Sequence, residues 1–302
     1  MKKWVVLTTI LVTVVLAFNA CDKEDDKPKD PVINNPNDSI NHLVMEGVFN
    51  PARKIHRIYS TQEGEQTIAQ TWIWDHDTLK QIDNGNSYYS KFEYNDKHQI
   101  VKIIDYYNDN PVGYLAVTYK NNLFHKFERF ENGVLTAQTE FTRGNNNKIS
   151  QIKTTYYSDF DYSTKNASTN VYSLLFGKTV TKLLEQSTHK SNAIETSQVT
   201  YQGNNIISIS CVGNLLDMSY SYKIDYTYDN KNNPIYQNCY TDGVLLHSEN
   251  NLTSEKAKVY IEEELYDEYT INYSYVYDNN WPVEVSGSIY GISASTQYEY
   301  YE

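Results

Sequence analysis

The sequence predicts a mainly β protein, built as an antiparallel meander of repeated hairpins. Three observations support this fold class. Tyrosine occurs 29 times against nine phenylalanines, and aromatic side chains favour the pleated, half-buried surface of a strand. Many of these aromatics stand two residues apart, so they point to the same face of an extended strand. Runs of Asn, Asp and Gly follow them, and these residues form turns.

One stretch recurs along the chain, and its clearest copy is residues 226–235. In this copy Tyr226 and Tyr228 end a strand, a polar turn follows, and an apolar residue restarts the pattern. The second aromatic usually recurs after 22 to 27 residues, which is room for two strands and two turns. A gap of 60 residues before Tyr201 predicts an insertion, and a gap of 49 before Tyr277 predicts two units, one of them degenerate. The other copies occupy residues 92–100, 117–123, 140–149, 199–206 and 275–283.

Three dipeptides predict tight hairpin turns, because Asn, Asp and Gly tolerate a positive φ. They are Asn84-Gly85, Asn132-Gly133 and Asp242-Gly243.

The longest gap contains a stretch that loses the two-residue alternation. Its apolar side chains fall on one helical face; they are Phe176, Val180, Leu183 and Leu184. We therefore expect a short helical insertion near 170–188 that covers one face or opening of the sheet. A packing cap is favoured over a lid above a reaction site.

Residues 1–20 have the layout of a signal peptide, with two lysines before an apolar run that is too short to span a bilayer comfortably. The run ends in Phe-Asn-Ala followed by Cys21. This ending resembles a bacterial lipobox, so Cys21 is the expected lipidation site. The alternative is an ordinary secretory signal with a chance cysteine.

An acidic run, Asp22–Asp26, follows this cysteine. It resembles the surface-export signal of Bacteroidetes lipoproteins and predicts the outer face of the outer membrane; a merely solvated linker is the alternative. Residues 21–42 offer little to bury, which predicts a disordered tether. We expect residues 43–302 to form a single domain of β-hairpin repeats.

Together, the lipobox, the acidic linker and the hairpins resemble Bacteroidetes lipoproteins that carry an uncharacterised domain of porin-like fold. The segment Leu174–Lys178 between the two blocks of repeats adds to this resemblance, which covers about residues 45–302. The hairpins are also distantly similar to the YD repeats of Rhs-type proteins. The resemblance implies a strongly curved or barrel-like sheet, and it brings no activity, cofactor or catalytic residue.

Two cysteines remain after the lipobox. Cys211 and Cys239 follow their nearest repeat tyrosines by ten and eleven residues, so they are predicted at equivalent positions of adjacent hairpins. Equivalent strands of a plain meander lie two strands apart, about 9.5 Å, and a disulfide needs Cα atoms within about 7 Å. We therefore expect two free, buried thiols.

Charge and motifs exclude several classes of function. The net charge of −12 argues against binding to nucleic acid and against electrostatic binding to anionic lipid. His76 lies between two aspartates, but a surface turn is favoured over a metal site. The acidic run Glu262–Glu264 lacks the spacing of a dedicated Ca²⁺ loop. Neither paired carboxylates nor a nucleophile elbow can be placed, so we expect no enzyme, no metal and no cofactor.

The sequence therefore predicts a lipid-anchored cell-envelope protein that acts as a non-catalytic binding or structural module. The alternative is a binder of surface glycans or small ligands through the rings of Trp72, Trp74 and Trp281, although core packing of these rings is favoured. A hydrolase ranks third, because it needs acidic or His side chains that converge in a cleft. The expected partners are the membrane, through the anchor alone, and a glycan or another envelope protein.

Overall fold

The computed structural model describes residues 45–62, 65–157, 193–215, 218–240 and 244–302. The predicted signal peptide, the lipidation site Cys21, the tether and the helical insertion near 170–188 lie outside these residues, and the domain boundaries stay predictions. Within the described ranges, no helix is long and apolar enough to cross a membrane.

The described residues form a closed antiparallel barrel of 16 strands, which confirms the predicted fold class. Each strand pairs with its neighbours in sequence, and β1 pairs with β16 to close the barrel. The strands are β1 (Ile55–Gln62), β2 (Glu65–Asp75), β3 (Thr78–Asp83), β4 (Tyr88–Tyr94), β5 (Ile100–Tyr107), β6 (Asn110–Lys120), β7 (Leu123–Glu131), β8 (Val134–Arg143), β9 (Ile149–Tyr156), β10 (Ala193–Gln202), β11 (Asn205–Leu215), β12 (Met218–Asn232), β13 (Asn250–Ile261), β14 (Glu264–Asp278), β15 (Trp281–Ile289) and β16 (Ile292–Tyr300).

The two ends of the barrel differ in what they carry. One end holds the β2–β3 turn, the β12–β13 connection and the chain segments that flank β1 and β16, where the Tyr301 amide donates to the Lys54 carbonyl at 2.9 Å. We call it the plug end, after the β12–β13 connection described below. The opposite end, the far end, holds the β3–β4, β5–β6, β7–β8 and β13–β14 turns.

The two faces of the wall have opposite chemistry. Along β12 the inward side chains Tyr220, Tyr222, Ile224 and Tyr226 are buried, while the residues between them are Ser, Lys and Asp. β14 repeats this pattern, with buried Tyr269, Ile271 and Tyr273 alternating with exposed polar residues. The inner side of these strands is therefore a packed core, and their outer side is mostly polar, with Tyr266 and Val276 as exposed exceptions on β14. Membrane-spanning barrels instead carry an apolar outer band.

The repeated aromatic has a defined structural role at the plug end. In most of these hairpins a β-bulge falls at this aromatic, for instance between Thr118 and Tyr119 and between Thr227 and Tyr228. At most of these bulges the aromatic points inward and donates its polar hydrogen to a carbonyl on the preceding strand; on β14 the donor is Tyr275, two residues before the bulge at Tyr277. These bonds form an inner belt: Trp74 to Ile55, Tyr94 to Leu79, Tyr119 to Ile100, Tyr228 to Ile206, Tyr275 to Leu252 and Tyr300 to Pro282, all between 2.6 and 2.8 Å.

The inner belt explains why the repeat uses tyrosine rather than phenylalanine, and one pair of substitutions tests this. We expect Tyr228→Phe to lower the free energy of unfolding by about 1–2 kcal/mol, because the Ile206 carbonyl loses a buried donor. Tyr226, two residues earlier on the same face, is the matched control, since its buried hydroxyl has no hydrogen-bond partner among the described residues. Tyr226→Phe should be neutral or stabilising in urea unfolding; equal losses would contradict this role of the belt.

One sequence prediction about the repeat needs correction. The 49-residue gap before Tyr277 does not hold an additional hairpin unit, because only β13 lies between β12 and β14. The extra length goes into long strands and into a 17-residue connection from Asn233 to Glu249. The predicted turn at Asp242-Gly243 falls within this connection and lies outside the described residues. The other two turns are confirmed, and Gly85 and Gly133 have φ values of 75° and 80°.

Candidate functional site

The β12–β13 connection folds into the barrel and fills its plug end. We call residues 233–248 the plug, and its described residues are mostly buried. Asn233 organises it, because its side-chain amide donates to the carbonyls of Leu245 and Ser248 at 2.9 and 2.8 Å. A short 3-10 helix, Val244–His247, follows, and all four of its side chains are buried.

The plug crosses the barrel to the opposite wall. The Tyr240 ring packs against Phe92 of β4 at 5.9 Å between centroids, and its hydroxyl accepts a hydrogen bond from Asn84 at 2.8 Å. The His247 ring makes edge contacts with Phe124 of β7 and Phe141 of β8 at 5.9 and 5.6 Å. Burial lowers the pKa of His247 to about 3, so this ring is neutral at physiological pH.

The segment before β1 seals the plug end. The Glu46 carboxylate accepts hydrogen bonds from the Phe124 amide at 2.6 Å and from the guanidinium of Arg143 at 3.1 Å. The next amide, that of Gly47, donates to the Gln237 side chain of the plug at 2.8 Å. Gly47 has a φ of 76° and lies against the Tyr119 ring, where a β-carbon would collide with the hydroxyl. The segment that leads from the predicted tether is thus bonded to both wall and plug.

At the far end, a cavity of about 210 Å³ lies between β4 and β7. Asp105 of β5 is buried beneath it, with one carboxylate oxygen held by the Ser90 hydroxyl at 2.5 Å and the other 2.7 Å from the Arg129 guanidinium. Tyr88 and Tyr107 stack on each other at 4.3 Å and line the same cavity. The remaining lining residues are Val112, Gly113, Glu131 and Asn132.

The register of four strands creates this cavity. Ser90, Asp105, Gly113 and Glu131 are successive cross-strand partners on β4, β5, β6 and β7. Gly113 therefore leaves a gap in an inward-facing row where every neighbour carries a side chain. A β-carbon at Gly113 would lie 2.7 Å from the Phe130 carbonyl, so the close approach of β6 and β7 requires glycine.

Two further carboxyl groups face the interior on other parts of the wall. Glu255 of β13 is 1% exposed, and burial raises its pKa to about 8, although the Tyr269 hydroxyl donates to it at 3.1 Å. Glu195 of β10 is partly buried and accepts hydrogen bonds from the hydroxyls of Tyr220 and Tyr156; burial raises its pKa as well. These carboxyl groups are spaced around the wall, and no group of three or more metal-binding side chains is found among the described residues.

The tryptophans considered for ligand stacking lie in or near the core of the plug end. Trp72 is 1% exposed and donates its indole N–H to Gln70, so neither face of its ring is available to a sugar. Trp74 packs against Phe49 and belongs to the inner belt. Trp281 begins β15 and makes an edge contact with the Tyr300 ring. Of the aromatic residues that line the far-end cavity, Tyr107 is 41% exposed.

Both thiols are free and buried, as predicted, but the predicted equivalence of their positions is wrong. Cys211 lies on β11, whereas Cys239 belongs to the plug and not to a strand. Burial raises the pKa of both, that of Cys211 to about 12, so neither is a reactive thiolate at neutral pH. His76 lies exposed in the β2–β3 turn, where its ring is hydrogen-bonded to Asp75.

No protein-family model matches the chain, and neither does any curated protein. Among solved structures, a porin-like protein from Bacteroides vulgatus is similar at a TM-score of 0.53 and 9% identity, over 82% of this chain and 99% of that one. A porin-like protein from Bacteroides uniformis matches over 82% and 98% at a TM-score of 0.32, which is too low to carry an argument. The first likeness shows a shared fold, so the expected porin-like barrel is confirmed, while the lipoprotein and YD-repeat resemblances stay predictions.

Proposed function

We propose that this chain is a lipid-anchored protein of the outer membrane that faces the cell exterior and acts as a non-catalytic binding module. The observation that carries the proposal is the separation of two features along the barrel. The segment that leads from the predicted anchor enters at the plug end, where Glu46 and Gly47 bond to the wall and the plug. The far-end cavity lies at the opposite end and would point away from the membrane.

The chemistry of the wall supports a barrel that stands in water on its tether. Outward positions of β12 and β13 carry lysines and an aspartate: Lys223, Asp225, Lys256 and Lys258. A charged side chain on a lipid-facing strand costs about 2–4 kcal/mol at the bilayer midplane. A lipid chain on Cys21 would therefore be the attachment to the membrane, and the strands would not be.

A binding role is favoured over catalysis by the way the interior carboxyl groups are arranged. Glu195 and Glu255 are each hydrogen-bonded by tyrosine hydroxyls, and Asp105 is paired with Arg129. Burial raises the pKa of Glu255 to about 8, but a general acid also needs a partner and a substrate within reach. The cavity instead combines one balanced ion pair with an aromatic wall, which suits recognition.

The anchor and the address are tested in cells. In an outer-membrane host, the full chain should fractionate with membranes and be digested by protease added to intact cells. Cys21→Ala should abolish the lipid-dependent mass increase and release the protein from membranes. Neutral replacement of the acidic residues within 22–26 should keep the lipid but reduce surface digestion. Unchanged membrane retention in Cys21→Ala would contradict the anchor.

The binding role is tested with the purified full chain on an array of surface and envelope glycans. We expect saturable binding to at least one class of glycan. If no glycan on the array is bound, the glycan-binding role is contradicted. The alternative from the sequence, a structural module, would then be favoured.

A further inference from the structure

The cation that lines the far-end cavity, Arg129, is paired within the protein. The Arg129 guanidinium is 2.7 Å from the Asp105 carboxylate, which the Ser90 hydroxyl also fixes. A cation matched at this distance has little attraction left for an anionic ligand, and the carboxylate of Glu131 adds negative charge to the same lining. The cavity therefore disfavours phosphates and carboxylates.

The pair still presents polar atoms that a neutral ligand can use. Oδ2 of Asp105 lies 2.7 Å from the Arg129 guanidinium and is buried with the rest of that side chain, so the accessible half of the pair is Arg129. The side chain of Arg129, which is 20% exposed, and those of Glu131 and Asn132 in the lining are the polar groups that a ligand hydroxyl meets.

An aromatic wall stands beside these polar atoms. The Tyr88 and Tyr107 rings stack with 4.3 Å between centroids and an interplanar angle of 25°. Tyr107 is 41% exposed, in contrast to the buried Trp72. An aromatic face packs against the C–H face of a sugar ring while nearby polar groups bond its hydroxyls.

The size of the cavity limits the ligand. Its volume of about 210 Å³ falls below the ~300 Å³ at the lower limit of pockets for drug-sized ligands. The missing side chain at Gly113 supplies part of this space, and the backbone of β7 prevents any larger residue there. One six-membered ring suits the cavity better than an extended oligomer.

We propose that the far-end cavity is a subsite for a single neutral sugar ring, a proposal that rests on the binding function proposed above. The sugar hydroxyls bond the Arg129 guanidinium and the polar side chains beside it, and one face of the ring packs on the Tyr107 wall. The ring is a free monosaccharide or the end of a glycan chain.

Titration calorimetry on the full chain tests the subsite, in a detergent without a sugar headgroup. The probes are glucose, galactose, mannose and N-acetylglucosamine, with glucuronate as the anionic comparison. We expect saturable heat with at least one neutral sugar and at least about tenfold weaker binding of glucuronate. Tyr107→Ala should weaken the neutral sugar about tenfold, because it removes the exposed aromatic wall.

Tyr106→Ala is the matched control, because Tyr89 and Tyr106 form the corresponding stack, at 4.9 Å, from the adjacent positions of the same two strands. It should bind sugar like the parent, and circular dichroism should show that both variants fold. No heat with any neutral sugar, a preference for glucuronate, or equal affinities of the two variants would overturn the subsite. If the Tyr107→Ala variant still binds glycans on the array, the subsite is refuted but the binding function is not. If the parent protein binds no glycan on the array and gives no heat in calorimetry, the binding function is refuted as well.

Discussion

Arg143→Met should lower the free energy of unfolding by about 3–5 kcal/mol, the cost of leaving one partner of a buried ion pair alone. The Arg143 guanidinium bonds the Glu46 carboxylate and also donates to the carbonyls of Phe124 and Asn147, at 3.1 and 2.6 Å. Both side chains of the ion pair are at most 15% exposed. Urea unfolding measures the loss, which should be accompanied by easier proteolysis of residues near Glu46.

A double-mutant cycle separates the ion pair from simple loss of packing. Glu46→Gln combined with Arg143→Met should be more stable than Arg143→Met alone, because no buried charge remains. The surface pair of Lys258 and Glu268, at 3.5 Å, is the control; Lys258→Met should cost less than about 1 kcal/mol. Additive effects of the two core substitutions would contradict the sealing role of the ion pair.

The second large effect is a loss of stability as the pH rises. Burial raises the pKa of Glu255 from 4.5 to about 8, so the folded protein keeps a proton that the unfolded chain releases. The contribution of Glu255 to the free energy of unfolding is fully present below pH 4.5. It falls by at most about 1.4 kcal/mol per pH unit as the pH rises from there through 8. Chemical denaturation between pH 6 and 9 should display this slope.

Glu255→Gln is the test of that assignment. The amide cannot titrate, and its carbonyl can still accept from the Tyr269 hydroxyl. The variant should be more stable than the parent at pH 8, and its stability should depend less on pH. Other titrating groups, such as Glu195 and His247, are present in both proteins, so the difference between the two curves isolates Glu255. Parallel curves would show that Glu255 is ionised in the folded barrel.

The hairpins were predictable because their signals are local. A pair such as Tyr226 and Tyr228 followed by Asp and Asn encodes a strand end and a turn within ten residues. The number of strands and the closure of β1 on β16 depend on contacts some 240 residues apart. No local pattern fixes such contacts, and the barrel was expected only through a resemblance.

The plug escaped prediction because its residues imitate a strand. Ile235, Tyr240 and Leu245 supply apolar and aromatic residues at the usual density, and Asp242-Gly243 looks like another hairpin turn. This strand-like composition is also why Cys239 was expected on a strand. The Asn233 side chain, which holds the loop together through two backbone carbonyls, carries no sequence signal that separates it from a turn asparagine.

The cavity was missed for a different reason, the β-bulges. Strict alternation from the buried Ile100 would turn Asp105 outward, but β5 carries one extra residue opposite Tyr94, which brings Ile103 and Asp105 inward. Arg129 lies two strands away, and its approach to Asp105 depends on that register. The only available signal was Gly113, a glycine inside a strand, which often marks a close approach of two backbones.

The even number of strands brings the chain segments before β1 and after β16 together, with Tyr301 bonded to Lys54. A short peptide could therefore join these segments, and the chain could be opened instead at Asn132-Gly133, a tight turn at the far end. Such a circular permutant would keep every strand pair and lose only the covalent connection between β7 and β8. A tether attached at the new N-terminus would hold the barrel in the opposite orientation, with the cavity toward the membrane and the plug toward the medium.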